Sequence, residues 1–482
     1  MTRRIPYPVL FSFLFLWACT KDVGQVNRGE YPNEVGKIIT GSCSVQGCHN
    51  SASYLAASGL NLETWESLFA GSSSGSPVIP FSSRFSSLCY FINTYSELGS
   101  QNNPTMPLNK SALSYDNVKI IKDWVDMGAP DRSGKIKWAG DPLQKKLYAV
   151  NQGCDVVTVF DAATQLPMRS IEVGKGNTTP HQLRVSPDGK YWYVVFINNN
   201  VMKKFRCSDD AFIGDIPLTP FAAGTGTLNA QDWNTFTITK DGKRAYCVSW
   251  TQSGKVAKVD LEHMKFLGIL SGLYNPHGIA LNNNEDLLYV AAQTGNYLTE
   301  IDTGFSMQTD YVLENASQSQ LSSLDPHDLV LSGGKDSLFI TCQTSNEVRI
   351  FDLSSKKTVK VIKTGFHPQE IVYSSNFKSY YVSYTGDGSA ANNGGVSVIP
   401  LVSLAPTNIL CGAQAHGLAV DESKGLLYLL SRNVASVGPP PHHSSQCNGR
   451  NGFVNFINLY SLSITKKKYE LSVDPYFIAA RP

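Results

Sequence analysis

The sequence predicts a chain in two parts, a small all-α segment followed by an all-β seven-bladed β-propeller. Two observations predict it. Across residues 33–131 apolar residues at both ends recur at helical spacing, as in Val35, Ile38 and Ile39. From Trp138 onward that spacing vanishes. Short β-rich runs alternate with Gly, Asp and Asn turns, and one aromatic phrase returns seven times. Charged residues make up 17% of the 482 and the net charge is only +2. No basic block stands out, which argues against nucleic acid as a partner.

The chain opens with "MTRRIPYPVLFSFLFLWACT". Arg3 and Arg4 precede an apolar run, Val9 to Trp17, shorter than the roughly 20 residues of a membrane span. The stretch resembles a bacterial lipoprotein signal. The resemblance implies removal of residues 1–18, lipid on Cys19, and a tether over 19–32. The mature protein is then expected in the periplasm or at the cell surface, anchored to a membrane by its N-terminal lipid. Such a compartment permits disulfides among the ten cysteines.

Residues 33–131 begin with an amphipathic stretch after Pro32. They end in "LSYDNVKIIKDWVDMGAPD", where Ser114 is the expected N-cap, Ile121, Trp124 and Val125 share a face, and Gly128 is the stop. The middle, "AGSSSGSPVIPFSS", reads as loop, and Cys89 in "SSLCYFI" reads as core. Between them lies "GSCSVQGCHN". Cys43, Cys48 and His49 admit three readings: a disulfide beside an exposed histidine, part of a zinc site, or a covalent haem attachment. Zinc lacks ligands here, since Cys89 is the only further cysteine of the segment and no second histidine is present. Downstream, "NNPTMPL" offers Met106, either as a soft axial ligand or as plain packing. The order of helix, cysteine pair with histidine, loop methionine and closing helix resembles a class I cytochrome c domain with a widened spacer. That resemblance implies one haem c, thioether bonds from Cys43 and Cys48, and iron ligation by His49 and Met106. Met127 is a weaker ligand candidate inside the closing helix. Residues 132–139 are a short linker.

In residues 140–482 the recurring phrase is centred on Tyr148, Tyr193, Tyr246, Tyr289, Phe339, Tyr381 and Tyr428, at steps of 42 to 53 residues. A following strand often ends in Asp, as at Asp161, Asp260, Asp302 and Asp352. A period in the forties with about four short strands per unit predicts a propeller. The repeats resemble the YVTN family. The first unit lacks its first strand and "VDPYFIAARP" ends the chain as a lone strand, so the C-terminal strand is expected to close the first blade.

Twelve residues before each aligned aromatic stand His181, Asn234, His277, His327, Gln369 and His416, and Tyr476 takes the place in the last strand. These are expected to ring one mouth of the central channel. Swollen loops at 385–395 and 434–449 are expected on the same face, the second with His442, His443 and Cys447. Cys411–Cys447 is the first choice of disulfide, and Cys247 and Cys342 are expected to be buried. The histidines admit two readings. Either each is held by backbone at a blade junction, or His181, His277, His327 and His416 border a transition-metal site, with adjacent pairs such as His277 and His327 sharing an ion. The leading functional expectation is a membrane-anchored one-electron carrier with an unidentified redox protein as partner and the propeller as platform. The rivals are an oxidoreductase with a metal or second cofactor in the propeller mouth, and a haem-free surface binding protein.

Overall fold

Seven four-stranded antiparallel sheets surround a central axis. They belong to a computed structural model that describes residues 28–220, 231–313, 323–333, 336–434, 438–443 and 445–482. Each sheet runs outward from the axis, as in Pro276–Leu281, Leu287–Ala292, Tyr297–Asp302 and Gln308–Val312. Six blades are continuous in sequence. We number them 1 to 6 by their innermost strands, Pro180–Val185, Trp233–Ile238, Pro276–Leu281, Pro326–Leu331, Pro368–Ser374 and Ala415–Asp421. The seventh, the closing blade, pairs Pro475–Ala480 with Lys146–Asn151, followed by Val156–Asp161 and Pro167–Glu172.

The aromatic phrase is the second strand of each blade. That strand is covered on both faces, which is why it is apolar without alternation. All six residues of Lys146–Asn151 and of Leu426–Ser431 are buried. Successive side chains then serve different neighbours. Tyr148 and Val150 pack with Trp192 of blade 1, while Leu147 and Ala149 pack with Tyr428 and Phe456 of blade 6. The recurring Asp ends the third strand and holds the next turn. Asp260 accepts from the Glu262 and His263 N–H groups at 2.9 and 2.8 Å, and Asp302 accepts from Gly304 and Ser306 at 3.0 and 2.8 Å. Outer strands are wetter, and two of them, Lys357–Lys363 and Ser463–Val473, are rich in lysine. Lys357–Lys363 is mostly exposed, which blunts a free sheet edge.

The expected all-α segment is not what forms. The chain is nearly all β, with only 10% helix. The N-terminal residues hold four α-helices, α1 Asn33–Ser42, α2 Trp65–Leu68, α3 Ser87–Ile92 and α4 Tyr115–Asp126, of 10, 4, 6 and 12 residues. Helical periodicity exists only at the ends of this stretch. Between them, short polar side chains satisfy the backbone locally and hold turns. Ser86 is an example: its hydroxyl accepts from Ile79 N–H at 2.8 Å and donates to Ser82 O at 2.7 Å. Nor does the segment stand apart. It lies along the outer strand of the closing blade, through Arg84–Glu172 at 2.7 Å and Ser76 Oγ to Pro167 O at 2.5 Å. Trp138 packs against the N-terminal core and two interblade cores together. Among the described residues no helix is long and apolar enough to cross a membrane. Residues 1–27, with Cys19, lie outside the described residues.

The disulfide expectation also needs correction. Cys447 bonds Cys154, with Cα atoms 5.3 Å apart, and Cys411 is free. Cys154 sits in the turn after the closing blade's Lys146–Asn151 strand, and Cys447 in the swollen loop of blade 6. Ring closure makes these neighbours despite a sequence separation of 293. The bond therefore staples the seam at which the chain's ends meet. The double variant Cys154→Ser/Cys447→Ser is expected to lose about 2–4 kcal/mol in urea unfolding. Loss within error would show that strand pairing alone secures the seam.

Candidate functional site

Two places concentrate chemistry. The first follows α1, whose Val35, Ile38 and Ile39 are buried and whose C-cap is Cys43. The four-residue spacer folds into a loop closed by His49 N–H to Cys43 O at 3.1 Å, with Cys48 N–H on Val45 O at 3.0 Å. Gly47 adopts φ +81°, the left-handed conformation that makes this turn inexpensive only for glycine. Asn50 pins the loop, donating to Val45 O at 2.8 Å and accepting from Ala52 and Ser53 N–H at 3.0 Å each.

The His49 ring makes one hydrogen bond of note. Its Nδ1 lies 3.1 Å from the Leu60 carbonyl. A carbonyl only accepts, so Nδ1 carries the proton and Nε2 keeps its lone pair. Burial lowers the His49 pKa against the opposing effect of the Leu60 bond, which favours the neutral ring. Cys43 lies in the apolar core and burial, with Cys48 nearby, pushes its thiol up to about 11. Cys48 is half-buried, and the two sulfurs are not joined. Met106 is half-buried against the same core as Cys43 and Leu60, its N–H fixed on Phe91 O at 2.7 Å. Met127 caps α4 and is 64% exposed. Cys89 is fully buried, with its thiol pushed up to about 12. The "GAP" that ends α4 is architectural: Ala129 and Pro130 carbonyls accept from the Trp65 and Trp124 indoles, both at 2.8 Å.

The second place is the propeller axis. All seven ring positions are the second residue of an innermost strand, and all are buried. They form a contiguous plug. Ring centroids are 3.9 Å apart for His277–His327 and His416–Tyr476, 4.3 Å for His181–Tyr476 and 5.7 Å for His327–His416. The shared-ion idea for His277 and His327 fails on geometry. Their rings stack at 25°, and His277 Nδ1 donates to the His327 carbonyl at 2.9 Å. His416 does the same to the Tyr476 carbonyl at 3.1 Å. These two histidines are held by the backbone of the next blade.

Asn234 is held likewise, donating to the Pro276 carbonyl at 3.4 Å, and the remaining four have side-chain clamps that the sequence reading missed. Gln152 meets His181 Nδ1 at 2.8 Å, Gln293 meets His327 Nδ1 at 3.3 Å, and Gln343 donates to Gln369 at 2.7 Å. Arg432 lies 4.6 Å over the Tyr476 ring and forks onto Asp474 at 2.7 and 3.0 Å. Each clamp stands four residues after an aligned aromatic, so the signal was in the repeat. Also missed were Asp328 and Glu370, each directly after a ring residue. A register shift near the start of these inner strands brings both neighbours into the buried axis. Glu370 Oε1 lies 3.8 Å from His327 Nε2 and 3.9 Å from His416 Nδ1. Burial and the adjacent Asp328 push the Glu370 carboxyl well above its usual range, against Arg184. His327, Glu370 and His416 are the one group of three candidate metal donors found among the described residues.

No family model and no curated protein matches the chain. Solved structures resemble it at low identity. A Kuenenia stuttgartiensis hydrazine synthase chain is 15% identical with TM-score 0.47, covering 63% of this chain and 89% of that one. A functionally unknown Desulfotomaculum acetoxidans protein is 13% identical with TM-score 0.49, covering 68% and 99%. A Bacteroides caccae protein of unknown function is 13% identical with TM-score 0.41, covering 55% and 94%. None of these likenesses bears on activity.

The plug makes stability depend on pH. Burial pushes His277 down to about 4, and His181, His327 and His416 are also well below the usual value. Above about pH 6.5 neither the folded nor the unfolded chain protonates His277, and stability is complete. Between pH 6.5 and 4 only the unfolded chain takes the proton, so stability falls by about 3 kcal/mol for this residue. His277→Gln is expected to flatten the slope of unfolding free energy over that window. An unchanged slope would assign it to other groups.

Proposed function

We propose that this chain is an exported, membrane-tethered one-electron carrier with a single covalent haem c. In this reading Cys43 and Cys48 form the thioether bonds, His49 Nε2 and the Met106 sulfur ligate the iron, and Cys19 bears the lipid. The observation that carries it is the His49 Nδ1–H bond to the Leu60 carbonyl, immediately after the second cysteine. It presents the lone pair of Nε2, the form of imidazole that binds a metal. Two separate thiols, one in an apolar core that also packs Met106, complete a donor set whose chemistry fits haem.

The haem would supply a one-electron couple. The protein's contribution is elsewhere. The closed Cys43–His49 loop keeps cysteine and histidine in fixed sequence and orientation, and the Leu60 carbonyl holds the ring tautomer. The apolar core of Trp65, Trp124 and Val125 excludes water. The propeller would serve as a rigid platform for a redox protein partner, since its blades pack face to face around a closed ring. A metal centre in the axis, which would make the protein an oxidoreductase, is favoured only by the His327–Glu370–His416 group.

Full-length protein made in cells competent in haem attachment is expected to be coloured, with haem retained under denaturing conditions. Cys43→Ala/Cys48→Ala should abolish covalent retention. Met106→Ala should keep the haem and lower its reduction potential, because a thioether ligand favours the reduced iron. A colourless mature product would leave the haem-free binding protein as the reading. An unchanged potential in Met106→Ala would remove Met106 from the ligand set.

A further inference from the structure

We infer that the propeller axis holds a divalent transition-metal site made by His327, Glu370 and His416, independent of any haem. The three donors come from the starts of the innermost strands of blades 4, 5 and 6. Their candidate atoms lie within 4.8 Å of one another. Glu370 Oε1 is 3.8 Å from His327 Nε2 and 3.9 Å from His416 Nδ1, too far for hydrogen bonds. These gaps suit an ion. A metal about 2.0–2.2 Å from each of two atoms bridges a separation of up to about 4 Å.

An independent observation points the same way. The His327 side chain is only 4% exposed, and its Nε2 has no hydrogen-bond partner. A buried ring nitrogen without a partner is costly unless something meets it. The opposite ring nitrogen, Nδ1, accepts from the Gln293 amide at 3.3 Å, so ligation through Nε2 requires the ring proton to move to Nδ1 and the Gln293 amide to turn its oxygen toward it. His416 Nδ1 donates to the Tyr476 carbonyl at 3.1 Å, so ligation through this atom gives up that bond and moves the ring proton to Nε2.

Charge agrees with a cation. Asp328 and Glu370 are buried together and offset by Arg184, while Arg432, which acts on His327 and His416, is already paired with Asp474. Two carboxyl groups against one fixed positive charge leave room for positive charge between them. Asp328 accepts from Ile371 N–H at 3.1 Å, which holds it beside Glu370 as a supporting group. Two imidazoles and one carboxylate select a borderline ion such as Zn²⁺, Fe²⁺ or Co²⁺. They disfavour Ca²⁺ and Mg²⁺, which want oxygen alone, and Cu⁺, which wants sulfur.

The test uses the full-length protein without a histidine tag, incubated with Zn²⁺ and desalted, with zinc counted apart from iron. One zinc per chain is expected. Glu370→Gln and His327→Gln are each expected to weaken zinc affinity on the order of tenfold or more, with the far-ultraviolet dichroism of the wild type. X-ray absorption of the zinc-loaded wild type supplies a readout that needs no variant, and should report two imidazoles, oxygen and no sulfur. Absence of retained zinc, sulfur in the first coordination sphere, or full zinc affinity in Glu370→Gln would each overturn the site. Neither colour nor haem content enters this outcome, so it stands or falls apart from the proposed electron-transfer role.

Discussion

Everything in the propeller depends on one antiparallel pairing, that of Pro475–Ala480 with Lys146–Asn151. A ring of sheets has no interior core of its own. Its apolar cores are the seams between neighbouring blades, so each blade is covered only if the ring is closed. The pairing converts a row of sheets into a circle and buries both faces of the second strands. At the same junction, Lys146 is sealed against Asp210 at 2.8 Å and donates to Cys207 O at 2.8 Å, with both charged side chains 2% exposed. Asp210 Oδ1 has no hydrogen-bond partner, so the pair depends on Lys146, and removing one partner would leave a buried charge.

The blade count was legible because packing dictates it. A strand enclosed on both faces must be apolar, and a bulky ring at one position fills each seam, so Tyr148 through Tyr428 repeat. The histidine positions were legible for the same reason, since they stand at fixed distance from that ring. The glutamine clamps were equally regular, but attention to histidines as donors hid the residues that hold them. Asp328 and Glu370 were harder. Strict strand alternation puts a residue adjacent to a ring position on the opposite face, and only the register shift brings it into the axis. The Cys154–Cys447 partnership was not legible at all, because Cys154 sits in the turn of a blade whose neighbour is fixed by the far end of the chain.

The N-terminal stretch shows how far local periodicity carries. It located α1 and α4, including the Ser114 cap that accepts from Asn117 N–H at 3.3 Å. The error was to label the whole segment all-α, whereas its serine- and glycine-rich middle is loop, as its composition predicts. There the structure depends on contacts far away in sequence, such as Ser100 with Gln446 at 2.6 Å and Phe91 with His443 at 5.7 Å between ring centroids. The swollen loop of blade 6 thus touches the strand of chain that leads to Met106, so the two candidate regions share a structural neighbour.

The ring clamps have a further consequence. Gln152, Gln293, Gln343 and Arg432 each belong to one blade yet immobilise the axial side chain of the next. Orientation at the axis is therefore handed around the circle in a single rotational sense. A disturbance in one sector should be felt first by its clockwise or anticlockwise neighbour, never by both alike, which gives a nearly symmetric body a built-in direction.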